Sequence, residues 1–583
     1  MKSKILVLFL TGCLLLSLTA CGGTTSPRGS DEEIGNSSVS SSQSTSEVST
    51  TSSSDDGPEG FNAEGLPIVD EPITVDTWVE GGTDIDWSKN AIVNQIAEES
   101  NIKMEISAVA SADSVTQRNL RFASGDLPEL LLMDWTSMLL KNDVMNYGVK
   151  EGILLPINDY VDKYGVRLKE IFEEYPQYKE MCTAPDGKIY GFARFQECYH
   201  CQAYPKIYLR QDWLDALDLE MPTNTDEFKE VLTAFKTQDP NGNGEADEIA
   251  FLGASDRDSM VEYAIIGMSF QTVVPDFWLS LGEDGETIEF SPSTDAYREG
   301  LLYLKDLFDS GLIDPTSFSQ DTEQMSQTVR LEPHVVGAYA CDHASAGLDS
   351  SDPVEAKNYQ IMPPISGPSG FQRQGQNGDD GEIMGFHAAI TTVCENPEAV
   401  FRMVDHYFYD DDLNMSRLYG PQGIGWDYAE EGTKDVFGGD AKYVVLKVDD
   451  DTKAEEVSPN LFTMGPQADL EAFRLSMLPQ VEGDEVYEPE NYEQRITLDT
   501  EKCVEYIPEE RLQYHVYVPI ESADDYSEIQ TNLNSFVRSA TAQFIMGDRD
   551  PSSDSDWETY LSELDSYRVN EYIEIYKAAI EQE

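Results

Sequence analysis

Beyond residue 70 the chain alternates short apolar runs with amphipathic segments. Ile73-Thr-Val-Asp-Thr-Trp-Val79 reads as a strand, and Ala91–Glu99 carries its apolar residues at helical spacing. Ile102–Val109 predicts a second strand, and Leu130–Met133 a short buried one. Thr225 stands where a helix cap is expected, ahead of Asp226–Lys236, whose Phe228, Val231, Leu232 and Phe235 fall at i, i+3, i+4 and i+7. Such alternation predicts α/β lobes with mostly parallel sheets. From Tyr526 onward helix signals dominate, with Leu561, Leu564 and Tyr567 on one face. The sequence has no visible internal repeat.

The N-terminus follows another pattern. Lys2 and Lys4 precede an apolar run from Ile5 to Leu18, which is too short for a membrane span of about 20 residues, and small residues follow it. Residues 1–20 therefore read as a secretory signal. Leu18-Thr19-Ala20-Cys21, followed by Gly22-Gly23, resembles the bacterial lipoprotein lipobox. That resemblance implies a cysteine acylated with palmitate and a protein held on the extracellular face of the cell membrane. Residues 21–62 read as a disordered tether rich in Ser and Thr, with a typical span of about 35 Å.

Charge narrows the function. The 583 residues include 39 Lys and Arg against 109 Asp and Glu, a formal charge of −70, which disfavours nucleic acid and anionic lipid surfaces. Apolar residues at 40% and aromatics at 10% set the chain apart from a disordered polyacid, and its length calls for more than one lobe. Cys182, Cys198, Cys201, Cys341, Cys394 and Cys503 remain beyond the leader. Cys198-Tyr-His-Cys201 is compatible with a local disulfide, a redox pair, half a metal site or buried thiols, and no second Cys-x-x-Cys completes a zinc set. The six histidines are scattered. No Gly-x-Ser-x-Gly, His-Glu-x-x-His or phosphate-binding Gly-rich loop appears, so no catalytic residue is assigned and no enzyme is expected.

One motif carries ligand spacing. In Asp239-Pro-Asn241-Gly-Asn243-Gly244-Glu245-Ala-Asp247-Glu248 oxygen side chains fall at positions 1, 3, 5 and 9 of a twelve-residue EF-hand loop, with Gly at 6. A hard divalent cation takes six to eight oxygens, and the tight turn lets the side chains converge. Glu245 at position 7 offers its backbone carbonyl. Position 12 is Ala250 in place of the usual Glu, and Glu248 stands in as the bidentate carboxylate. The expected ion is a structural Ca2+.

Ala123-Ser-Gly-Asp-Leu-Pro-Glu-Leu-Leu-Leu-Met-Asp134, Gly187-Lys-Ile-Tyr-Gly-Phe192, Ile207-Tyr-Leu-Arg-Gln-Asp-Trp-Leu214, Pro222-Thr-Asn-Thr-Asp-Glu-Phe, Asn396-Pro-Glu-Ala-Val400 and Ala542-Gln-Phe-Ile-Met-Gly547 occur in that order. Together they resemble the extracellular solute-binding proteins of carbohydrate ABC importers, in the large lipoprotein subgroup. The resemblance implies an α/β, two-lobed, periplasmic-binding-protein-like class II fold with multiple hinge crossings and a helix-rich C-terminal part. Lobe 1 is expected at 63–193 and 384–432, lobe 2 at 194–383 and 433–583. It implies a monomer that captures an oligosaccharide between the lobes and delivers it to ABC-transporter permease subunits. A peptide, polyol or uronide ligand is the alternative, and a surface hydrolase or adhesin a more distant one. A sugar cleft needs aromatic faces for C–H patches and carboxylates, amides or Arg for hydroxyls. The candidates are Trp78 and Glu80 at the first strand end, Asp134 and Trp135 at the next, and Arg194 and Tyr199 at the first crossing. Tyr339, Asp342 and His343 follow at the Val335–Ala340 strand, with Asn377 and Trp426 near the later crossings.

Overall fold

The computed structural model describes residues 58–582 apart from Asp84, Glu283, residues 376–380, Glu382, Met384 and residues 447–463. The expected leader, Cys21, most of the tether and Asn377 lie outside the described residues. Phe61, expected in the tether, is buried and packs edge-on against Tyr164 at 5.0 Å, so the packed body already includes it.

The strands Ile73–Glu80 and Ile102–Val109 run parallel, with Ile73 opposite Ile102. Between them lies the helix Ala91–Ser100, whose N-terminus is capped by the Asn90 side chain accepting from Ile92 N and Val93 N. Ile92, Val93 and Ile96 turn inward from it. Leu130–Met133 joins the other edge of the first strand, also parallel, and all four of its residues are buried, as a central strand requires. Its second neighbour, Gly385–Ile390, is antiparallel and itself pairs with Leu139–Leu140 and Phe192–Ala193. Gly191 permits the last pairing, since a Cβ there would stand 2.9 Å from the Ala388 carbonyl oxygen. This sheet and its helices enclose a core drawn from residues 61–195 and 383–409 and from Met464, Ala468 and Tyr517.

The second sheet departs from the expectation of parallel strands. Ala338–Cys341, Lys206–Arg210 and Tyr359–Met362 are antiparallel throughout. Side-chain alternation assigns its faces to two different cores. Ile207, Leu209, Ala338 and Ala340 enter the large core of residues 204–365 and 512–579, while Tyr208, Tyr339, Cys341 and Tyr359 enter a smaller one on the other face. The helix Thr225–Thr237 buries Phe228, Val231, Leu232 and Phe235 as its spacing predicts, but its cap is Asn224, accepting from Glu227 N, and Thr225 is the first helical residue. At the C-terminus Ala523–Met546, Asp554–Ser566 and Val569–Ile580 are helices of the same core; Leu564 is buried and Leu561 half-buried, whereas Tyr567 stays exposed.

Three further stretches complete the body. Phe195–Gln196 lies parallel to Ala468–Asp469. Tyr517 is fully buried in the first core and donates to the Cys182 carbonyl at 3.1 Å, although Val516 and Val518 beside it belong to the second. Trp426–Tyr428 pairs with Tyr443–Val445 over a small core of Met415, Trp426, Tyr443, Phe473, Met477 and Leu478. The lobe boundary expected at 432/433 falls inside that module.

Candidate functional site

The parallel strands of the first sheet end side by side at Glu80 and at Asp134-Trp135. Glu80 is fully buried, accepting from Arg118 Nη1 at 2.8 Å and from Trp78 Nε1 at 3.1 Å. Burial pushes its carboxyl above the usual range, with Arg118 opposing. Trp78 and Glu80 thus form a buried brace beneath the site, with no surface for a ligand. Asp134 accepts from Ser111 Oγ, from Thr136 N at 2.9 Å and from Ser137 Oγ at 2.9 Å. Burial works to raise its carboxyl, but these bonds outweigh it and hold the group below the usual carboxylate value.

Trp135 is only partly covered. The Arg194 guanidinium lies 3.8 Å from its ring centroid, and His387 meets it edge-on at 5.4 Å. Arg194 donates to Asp469 Oδ2 at 2.5 Å, and both side chains are almost wholly buried. Asp469 also accepts from Asn414 Nδ2 at 3.2 Å and from Gln467 Nε2. Since both amides give their NH2 groups to the carboxylate, their carbonyl oxygens are turned away from it. Among the described residues Asn414 Oδ1, Gln467 Oε1 and His387 Nδ1 have no hydrogen-bond partner, and no more than 2% of any of the three residues is exposed. A buried polar group left so costs about 1–3 kcal/mol unless a ligand or water completes it. Burial pushes the His387 imidazole down to about 3 and the Arg194 guanidinium down to about 10, the latter countered by Asp469.

Asp342 and His343 follow the strand Ala338–Cys341, at the same end of the second sheet as Lys206. The buried Lys206 ammonium donates to the carbonyls of His200 at 2.7 Å, Ala203 at 2.6 Å and Asp342 at 3.0 Å, tying the crossing segment to the strand end. Asp342 Oδ2 stands 3.3 Å from His343 Nε2, and His343 Nδ1 is within 3.0 Å of Tyr492 Oη. Tyr204 hydrogen-bonds Asp258 nearby, although burial is the larger effect on that carboxyl and raises it. Tyr199 donates to Glu501 and its ring lies 4.9 Å from Phe437. Cys198 and Cys201 are joined as a disulfide, so the sulfurs that cluster with His200 are bonded to each other.

Two expected site residues belong to cores. Tyr339 points to the other face of its sheet, stacked on Tyr208 at 5.7 Å and donating to the Ala344 carbonyl at 2.9 Å. Trp426 is 2% exposed, its Nε1 donating to Ser416 Oγ at 3.3 Å. The structure thus gathers Asp134, Trp135 and Arg194 with His387, Asn414, Gln467 and Asp469, and places Asp342 and His343 across the crossing segment. The sequence gives no local sign of His387, Asn414, Gln467 and Asp469, which come from segments distant from Trp135.

In the acidic loop Asp239 adopts a left-handed φ of 47°. Its Oδ2 accepts from Gly244 N at 3.1 Å, Asn243 Oδ1 accepts from Glu245 N at 2.7 Å, and Asn243 Nδ2 donates to Asp247 at 3.2 Å. Asp239 Oδ1 and Glu248 Oε1 are buried without a hydrogen-bond partner among the described residues. Burial, with Asp247 and Asp239 nearby, raises the Glu248 carboxyl, the arrangement a bound cation would reverse.

Residues 83–408, more than half of the chain, match the sequence model of the family described as bacterial extracellular solute-binding protein. The chain belongs to that family. This solute-binding protein is 28% identical over 503 residues to the fructooligosaccharide ABC transporter substrate-binding protein FusA of Streptococcus pneumoniae serotype 4, covering 84% of this chain and 86% of FusA. It is 25% identical over 507 residues to the polygalacturonan/rhamnogalacturonan-binding protein YtcQ of Bacillus subtilis, covering 84% and 89%. The solved structure of FusA in complex with kestose aligns with a TM-score of 0.69 at 25% identity, over 88% of this chain and 99% of that one. An HMO binding ABC-transporter associated solute-binding protein from Bifidobacterium longum infantis, 18% identical, shares the fold with a TM-score of 0.68 over 88% of this chain and 99% of that one. The fold is the two-lobed α/β class II periplasmic-binding-protein-like fold, and the protein is a binding protein rather than an enzyme. No described helix is long and apolar enough to cross a membrane.

Proposed function

We propose that this solute-binding protein captures an oligosaccharide between its two lobes and delivers it to the permease of an ABC transporter. The observation that carries the proposal is the partly exposed Trp135 ring, braced by Arg194 and His387 beside the Asp134 strand end. An aromatic face suits the C–H patches of a sugar ring, and carboxylates such as Asp342 suit its hydroxyls. The ligands named for FusA and YtcQ support the same class. Asp134, Trp135, Asp342, His343 and Tyr199 contact the sugar. Lobe 1 is built on the sheet ending at Glu80 and Asp134, lobe 2 on the antiparallel sheet. The paired segments Phe195–Gln196 and Ala468–Asp469 act as hinge, and the ligand favours the closed state by its affinity difference between closed and open. Acylated Cys21 anchors the monomer at the outer face of the cell membrane.

Asp239, Asn241, Asn243, the Glu245 carbonyl, Asp247 and Glu248 hold a structural Ca2+. The buried, unpartnered Asp239 Oδ1 and Glu248 Oε1 support this reading, as does a solved FusA variant described as an EF-hand mutant.

The function is tested by thermal melting of the protein against a panel of oligosaccharides. A ligand at 100 times its dissociation constant adds about 2.7 kcal/mol, a rise of a few degrees. No rise with any sugar overturns the proposal.

A further inference from the structure

Resting on that reading, the bond between Cys198 and Cys201 controls the sugar site. The two cysteines close the turn Tyr199–Gln202, just past the paired segment Phe195–Gln196. A loop this short gains little chain entropy from a cross-link, so the bond acts locally rather than as a staple for the whole body. What it holds is the crossing segment. Tyr199, inside the loop, donates to Glu501 and packs on Phe437. The carbonyl of His200, also inside it, accepts from Lys206 at 2.7 Å, and the same ammonium donates to the Asp342 carbonyl at 3.0 Å. Two of the sugar contacts, Tyr199 and Asp342, are thus tied to this turn.

The surroundings favour reduction of the bond. Cys198 is buried with the Arg474 guanidinium 3.8 Å from its sulfur, while Cys201 is partly exposed. Arg474 also pairs with Glu493 at 3.1 Å. Burial first, then the charges of Arg474 and Lys206, hold the His200 imidazole well below its usual value, as expected in a cationic setting. A cation beside a sulfur stabilises its thiolate and makes it a better leaving group. The other described cysteines are of a different kind. Cys182, Cys341, Cys394 and Cys503 are free thiols that burial pushes up, to about 12 for Cys394 and Cys503.

We propose that Cys198–Cys201 is a thiol-reducible switch, oxidised in the form that binds sugar and opened by an extracellular low-molecular-weight thiol into a form that binds it weakly. A thiolate of that reductant attacks Cys201 Sγ, forming a mixed disulfide there and expelling Cys198 as the thiolate beside Arg474. A second reductant thiolate attacks the reductant's sulfur in the mixed disulfide and releases Cys201. The protons lost by the two reductant thiols end on the two cysteines, and the reductant leaves as its own disulfide.

The test treats the full-length protein with millimolar glutathione, labels it with iodoacetamide and locates the label by peptide mass spectrometry. In parallel, oxidised and reduced protein are titrated with fructo-, malto-, xylo- and galacto-oligosaccharides and with oligogalacturonides. Cys198 and Cys201 are expected to take label only after glutathione. Affinity for the best-binding sugar is expected to fall about fivefold or more, as for one lost hydrogen-bonded contact, and to return on reoxidation. The double variant Cys198→Ser, Cys201→Ser is expected to bind weakly with or without glutathione. Should that variant not fold, the reduced native protein and its reoxidation supply the readout. Cysteines that stay unlabelled after glutathione overturn the switch, as does a fall in affinity accompanied by loss of cooperative melting. Labelling with unchanged affinity overturns control of the site and leaves oligosaccharide capture standing. An oxidised protein that binds none of the sugars overturns oligosaccharide capture itself, and this control with it.

Discussion

Trp135 and Trp426 are both tryptophans at the border of a strand, yet their surroundings assign them opposite parts. Trp135 keeps part of its ring uncovered beside Arg194, whereas Trp426 is enclosed by Tyr443, Tyr428 and Ser416. Trp135→Ala is therefore expected to weaken sugar binding at least tenfold, about 1.4 kcal/mol, with an unchanged melting temperature. Trp426→Ala is expected to cost about 3–5 kcal/mol of stability in denaturant titrations. A second residue-scale expectation concerns Glu262, buried in the helix Val261–Ser269, where burial raises its carboxyl to about 7. A carboxyl raised in the folded state favours folding below its unfolded value near 4.5, and that contribution disappears as pH rises through 7. Glu262→Gln should accordingly be more stable than the parent by about 1–3 kcal/mol at pH 8 and no more stable at pH 4, as read by thermal melts at both values.

At the scale of elements, periodicity marked the strands Ile73–Glu80, Ile102–Val109 and Leu130–Met133 because each alternates or is buried on both faces, and the helix Thr225–Thr237 because its apolar residues recur at i, i+3, i+4 and i+7. Strand direction was not legible. Lys206–Arg210 and Ala338–Cys341 lie antiparallel through a pairing fixed by residues more than a hundred positions apart. Tyr339 was misread for the same reason, since one step along its strand exchanges the cleft end for the interior of the other face. The acidic loop could be read locally because ligand spacing is itself local. Chelation is expected to lower the melting temperature by several degrees, and Asp239→Ala to lower it similarly while abolishing the chelator's effect. An unchanged melt with a metal analysis finding no ion would make the loop an ordinary turn.

For the whole molecule, the site depends on contacts that sequence order conceals. Arg194 and Asp469 are 275 positions apart and meet because Phe195–Gln196 pairs with Ala468–Asp469. The strand-end candidates Asp134 and Trp135 were legible from a motif and Arg194 from its place at the first crossing, but His387, Asn414, Gln467 and Asp469 were not, because they lie in distant segments and lack a local pattern. Small-angle scattering with the best-binding sugar is expected to show a smaller radius of gyration than without it, and an unchanged radius would argue against closure.

The most direct test of oligosaccharide capture is a crystal structure of the protein grown with the sugar that gives the largest melting shift. The expected density is an intact oligosaccharide between the lobes, one ring lying on Trp135 and hydroxyls within hydrogen-bond distance of Asp134 or Asp342. A sugar bound away from Trp135, or found cleaved, would contradict it.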